Sequence, residues 1–172
     1  YRDGYSFELA SLYLLSQPFG KPMLYSGYRF ENIDQGVAQN PDGTIQDAVC
    51  GLKLGEFTCF QRKTSIAGMI AWHHELDGKK ITVENGAGGI YSVSRGKTGT
   101  FILNFNKVNT KAEIATDLPS GTYCDFVTGG AATVSASKTS CVGDAITVLD
   151  GKISMTLKGL SAVAISLSSK LN

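Results

Sequence analysis

The residue types of catalysis and metal binding occur in this chain as carboxylate pairs, adjacent histidines and cysteines. Glu31 and Asp34 lie three apart, and Asp42 and Asp47 five apart. Paired carboxylates do acid–base work when they are held rigidly and their pKa values are driven apart. Here they stand among Asn, Gly and Pro, where carboxylates serve as solvated turn residues; weak calcium binding is the functional alternative. His73-His74-Glu75 is the second group. Adjacent side chains do not share a helix face, which makes the two imidazoles poor joint ligands. A place at a helix carboxyl end, near the negative end of the dipole, is the plainer role for one of them.

Cys50, Cys59, Cys124 and Cys141 fall into two local pairs. Neither spacing matches a zinc knuckle and no histidine is near either pair, so the disulfides Cys50–Cys59 and Cys124–Cys141 are favoured over zinc. Four cysteines still allow three connectivities. Disulfides imply a secreted, extracellular setting. Gly86-Ala87-Gly88-Gly89 is glycine-rich, but it lacks the Lys-Ser/Thr of a phosphate loop and leads into a strand pattern. Trp72 belongs to the core or to a contact surface; a single aromatic is a weak carbohydrate platform.

The elements that must position these groups change period along the chain. Residues 5–17 carry a wide apolar face with helical spacing, ended by Pro18 and Gly20. Met23-Leu24-Tyr25 suits a short buried strand, and residues 31–57 read as a long loop. A second helix is expected from Thr58, with Gln61 completing a capping box, as far as the Asp77-Gly78 turn. From Lys79 the period becomes two. Strands are expected at 80–84, 89–94, 100–105, 112–116, 121–127, 131–137, 145–149, 152–158 and 161–167, with Asp150-Gly151 as a tight hairpin. Tyr91, Phe101, Phe105 and Phe126 fall at core-compatible positions. The fold class is therefore mainly β: a Greek-key β-sandwich preceded by a small helix and strand.

Composition narrows the function classes. The 172 residues carry sixteen Lys+Arg against fifteen Asp+Glu, a formal charge of +1, with no basic stripe to hold nucleic acid. No apolar run is long enough to span a bilayer. There is no Asn-x-Ser/Thr sequon, initiator Met or signal peptide, so the sequence reads as a processed or excised piece.

Two segments carry a family resemblance: Pro18-Phe19-Gly20 followed by Tyr25-Ser26-Gly27-Tyr28-Arg29-Phe30, and Leu118-Pro119-Ser120-Gly121-Thr122-Tyr123-Cys124-Asp125. With Cys59-Phe60-Gln61-Arg62 and the FILNFN stretch at 101–106, they resemble the final quarter of animal-type α-amylases. The resemblance implies that residues 1–78 are the end of a TIM-type (β/α)8 barrel and that 79–172 are an all-β carboxy-terminal domain. It also implies retaining glycoside hydrolysis by carboxylates carried on earlier barrel strands. Those strands would precede residue 1, as would the family's calcium site. The position of the chloride-site arginine is occupied by Met23.

On this reading the chain has no catalytic, metal or cofactor residues of its own. The expected role is that of a non-catalytic extracellular protein, structural or self-associating as a homo-oligomer or filament. Its contact surface would use Phe7, Leu12, Tyr25, Tyr28, Arg29, Arg62 and Trp72, with Arg62 paired to an acidic group. The alternatives are a carboxy-terminal piece of an α-amylase whose barrel lies upstream, and a glycan-binding module, for which several surface aromatics would be needed.

Overall fold

The computed structural model describes residues 4–172. They form two compact units, one from residues up to Pro22 together with Thr64–Asn172, the other Met23–Lys63. By contacts, the two long helices therefore belong with the strands and not with the segment between them.

In the larger unit, helix α1 spans Tyr5–Ser16. Pro18 ends it as expected, because proline supplies no N–H to continue the ladder. Helix α2 is Thr64–Glu75 and follows a 3₁₀ turn at Phe60–Arg62 in the smaller unit. The expected start at Thr58 is thus corrected. Cys59 has a left-handed backbone (φ 44°, ψ 45°), which interrupts an α-helix, and the Thr58 hydroxyl donates to the Gly27 carbonyl at 3.1 Å instead of capping. Met23-Leu24-Tyr25 is not a strand either, since no neighbouring strand pairs with it among the described residues.

Among the described residues the strands are β1 Ile81–Ala87, β2 Ile90–Arg95, β3 Gly99–Asn104, β4 Thr110–Ala115, β5 Gly121–Cys124, β6 Ala145–Val148, β7 Lys152–Leu157 and β8 Ser161–Ser166. An antiparallel sheet runs β1-β2-β3-β8, while β4-β7 and β5-β6 are separate antiparallel pairs. The pairings nest: β3 with β8, β4 with β7, β5 with β6. A long hairpin folded over on itself has this connectivity, the origin of a Greek-key β-sandwich. Asp150 and Gly151 both have positive φ (48° and 72°), as a tight hairpin turn between β6 and β7 demands.

Burial follows from the layering. Ile102 of β3 packs with Ile90, Val163 and Ile165 against Ile114, Tyr123, Ile146, Val148, Ile153 and Leu157 of the short pairs. Each such side chain contributes about 1.5–3 kcal/mol by leaving water. Phe101 faces the helices, its ring centroid 6.4 Å from that of Trp72. All six residues of β3 are buried, because both of its faces are covered. In β7 the residues alternate, with Ile153 and Leu157 buried and Lys152, Ser154 and Thr156 exposed, as suits a sheet with one face in water.

Three further expectations are corrected. Residues 131–137 are turns, with a single bridge between Val134 and Cys141. The strand expected at 121–127 stops at Cys124, since Asp125 caps a one-turn helix α3, Phe126–Gly129. Phe105 is exposed rather than core, beyond the end of β3.

Gly68 is the close-approach point of α2. A Cβ there would stand 1.8 Å from the Phe126 carbonyl oxygen, so only glycine lets α2 meet α3. Both disulfides form as expected, Cys50–Cys59 and Cys124–Cys141. With sequence separations of 9 and 17 they stabilise by about 2.5 and 3 kcal/mol in the loop-closure view.

Candidate functional site

The residues expected to form one contact surface do not share one environment. Leu12 and Trp72 are core, at 2% and 0% exposure, and are removed from any surface. Trp72 Nε1 donates to the Ile165 carbonyl at 3.0 Å, and the Arg95 guanidinium lies 5.7 Å from its ring centroid. A ring so completely buried cannot receive a sugar. Phe7 is half-buried on α1.

The other four residues lie in the smaller unit. Tyr25 is 75% exposed. Tyr28 is half-buried, donates its hydroxyl to the Gln35 carbonyl and packs near Phe30 and Phe57, with centroids 5.6 and 6.0 Å away. Arg29 is exposed, and its backbone pairs with Glu56 and Gly55. Arg62 Nη1 lies 3.5 Å from Cys50 Sγ.

Sequence reasoning missed the apolar residues that accompany Tyr25. Met23, Ile33, Ile45, Val49, Leu52 and Leu54 are each more than half exposed. Their signal was present as isolated Ile, Val and Leu in an Asn/Gly-rich loop, a pattern without a period and so without a predicted face. A cavity of about 250 Å³ in this unit is lined by Val37, Val49, Leu54 and Phe57 together with Gln46, Asp47 and Glu56.

Of the paired loop carboxylates, that of Asp42 closes a turn. Asp42 Oδ1 accepts from Thr44 N at 3.0 Å and from Thr44 Oγ1 at 2.7 Å, and these bonds hold its carboxyl below its ordinary pKa. The Asp34 N–H donates to Asn32 Oδ1, a second local turn. Among the described residues no three His, Cys, Asp or Glu side chains are placed to hold a metal ion. His73 Nδ1 sits 2.8 Å from the Leu15 carbonyl, donating as the Nδ1–H tautomer and joining α2 to the end of α1. His74 is exposed, and the two rings are 6.3 Å apart.

The most strongly held ionisable group is Asp125, fully buried between α3 and β8. Its Oδ1 accepts from Val127 N (3.0 Å) and Ala164 N (2.8 Å), and its Oδ2 from Thr128 N (3.0 Å) and Thr128 Oγ1 (2.8 Å). Burial raises its pKa despite the four donors. With every lone pair engaged inside the protein, the carboxylate is a clamp for β8, the last strand of the sheet, and has none to offer a substrate.

A nested sandwich with helices on one face is thus joined to a loop unit with an apolar surface. Residues 81–168 match the model of the alpha amylase C-terminal all-beta domain. The chain belongs to this family. An alpha-amylase of Hypothenemus hampei is 29% identical over 99% of the chain, and one of Pecten maximus 33% identical over 83%. The chain spans only 36% and 28% of the lengths of those two amylases. Alpha-amylase I of Eisenia fetida superposes with a TM-score of 0.81 over 96% of the chain and 36% of that structure, at 22% identity, a likeness of fold. The similarity to whole amylases extends beyond the all-beta domain into residues 1–80.

Proposed function

We propose that this chain works as the carboxy-terminal part of an α-amylase-type enzyme, doing no hydrolysis itself and bracing a barrel that carries the hydrolytic carboxylates. Residues 1–78 are then the end of the barrel and 79–172 its all-β companion. The observation that carries this reading is the contrast in burial. The sandwich buries its own core, whereas the segment 23–63 leaves seven large apolar side chains, Tyr25 among them, more than half exposed. Isolated apolar residues on a surface are ordinary, but this many in one short, mostly irregular segment mark a face made to be covered. A barrel supplies such a cover, and the matched amylases are about three times longer than the chain.

In the assembled enzyme, α-glucan hydrolysis would proceed with retention, by a carboxylate nucleophile and a carboxylic acid supplied by the barrel. Chloride dependence is not part of this proposal, since Met23 replaces the arginine. The two disulfides support a secreted protein.

Copies of the chain covering the same apolar surface would give the competing structural reading, a homo-oligomer or filament, favoured by the near-zero net charge. Native mass spectrometry of the protein from its natural source, without reductant and alongside a soluble-starch assay, separates the two. The expected result is α-glucanase activity in a species containing barrel-sized mass, about 30–40 kDa beyond this chain for a ~250-residue fold. Inactive multiples of 18.3 kDa would overturn the enzyme reading in favour of self-association.

A further inference from the structure

The two disulfides stand in opposite environments. Cys124 is wholly buried in β5 and its partner Cys141 is half-buried. Cys50 is exposed, Cys59 is half-buried, and the exposed Arg62 guanidinium sits 3.5 Å from Cys50 Sγ. A cation at that distance stabilises a thiolate over a thiol and makes that sulfur the better leaving group. Cys59 also carries a left-handed backbone, φ 44° and ψ 45°, a conformation unfavourable for a residue with a side chain. Opening the bridge frees Cys59 to leave it.

We propose that Cys50–Cys59 is a thiol–disulfide exchange site for low-molecular-weight thiols, opened by attack at Cys59 Sγ with Cys50 leaving beside Arg62, while Cys124–Cys141 is a permanent staple. The incoming thiolate gives an electron pair to Cys59 Sγ and forms a mixed disulfide. The original S–S bond breaks, and its electron pair departs on Cys50 Sγ as a thiolate facing the guanidinium. A second thiolate then attacks the incoming sulfur, releasing the oxidised small-molecule disulfide and leaving Cys59 reduced. Two thiols are oxidised for each protein disulfide reduced, so the balance closes with the thiol as reductant. The mixed-disulfide stage is a covalent modification of Cys59 in the unit with the exposed apolar surface. The chemistry rests on exposure and the neighbouring cation, so under the amylase reading it requires that the barrel leave Cys50 and Arg62 uncovered, which reduction of the full-length protein tests directly.

The test is timed reduction of the native, full-length protein by glutathione in non-denaturing buffer at pH 8, with iodoacetamide trapping and peptide mapping. Cys50–Cys59 is expected to open about tenfold or more ahead of Cys124–Cys141, with the glutathione adduct on Cys59. Arg62→Gln is expected to slow the opening by about threefold to tenfold, and Arg62→Lys to retain much of the rate, with high salt narrowing the difference. Equal rates for the two bridges, an adduct confined to Cys50, or an unchanged rate in Arg62→Gln would each overturn the proposal. The order of opening is read on the unaltered protein, so a failure of the variant to fold does not remove the test.

Discussion

Replacing Asp125 with alanine tests whether one carboxylate clamps α3 to the edge of the sheet. The substitution removes the cap of α3, which costs about 1 kcal/mol for a helix N-cap. It also leaves the Ala164 N–H of β8 without its 2.8 Å acceptor in the interior, a penalty of about 1–3 kcal/mol. The freed Thr128 hydroxyl can turn, so it adds little. The sum is a loss of about 2–4 kcal/mol, against a typical mutational loss nearer 1. Asp125→Asn keeps an oxygen for Val127 and Ala164 but sets an amide NH₂ against the Thr128 N–H, for a smaller loss of about 1–2 kcal/mol. Urea denaturation without reductant measures both, and amide exchange at Ala164 shows where the opening occurs. The pH profile gives an independent check. Because burial raises the folded-state pKa above the ordinary 3.8, the native state takes up this proton more readily than the unfolded chain. The contribution is present below 3.8 and is lost as pH rises through the folded value, a slope that Asp125→Asn abolishes. A loss under 1 kcal/mol in the alanine variant, with Ala164 exchange unchanged, would refute the clamp.

Gly68→Ala is expected to destabilise by about 2 kcal/mol or more although alanine favours helix by about 1, because its Cβ would stand 1.8 Å from the Phe126 carbonyl; thermal melting decides, and a stabilised variant would mean that α2 and α3 do not meet there. Tyr91 donates to Glu84 Oε1 at 2.9 Å and accepts from Gln17 Nε2 at 3.1 Å, and burial first, with Glu84 also contributing, pushes its pKa up to about 12. Ultraviolet titration should show a tyrosine ionising near that value that is missing in Tyr91→Phe. Its stabilising effect holds below pH 10 and fades as pH rises towards 12, since the unfolded chain ionises first.

What the sequence made legible divides at the places where local and tertiary signals agree. Strands β2, β3, β7 and β8 were readable because alternation or a continuous apolar run coincided with Gly-marked turns. The tight Asp150-Gly151 turn needed no tertiary information. Residues 131–137 alternate apolar and polar too, but their small side chains offer little to bury, and only the Val134–Cys141 bridge formed. Asp125 was hidden for a related reason: GTYCDFV scans as one strand, and its break depends on a carboxylate whose fourth partner, Ala164, lies 39 residues away. Trp72 could not be assigned to core or surface without knowing that β3 and β8 lie against α2. The contact surface suffered most, since apolar residues in an irregular loop have no period from which a face can be read.

The pattern of exposure also explains why a family match to the sandwich understates what the chain contains. The all-beta model covers residues 81–168, and those residues satisfy themselves through nested ladders and a shared core. Helices α1 and α2 precede that span, yet they supply the cover for the second face of β3, through Trp72 against Phe101 and the Trp72 bond to Ile165. Cut at residue 80, β3 would lose that cover and expose Phe101, Leu103 and Ala164, all now fully buried. The compact unit is therefore the sandwich together with its two helices. If α1 and α2 also belong to a barrel, the same helices would serve two cores at once, and loosening the sandwich would be felt by the barrel without any contact to substrate.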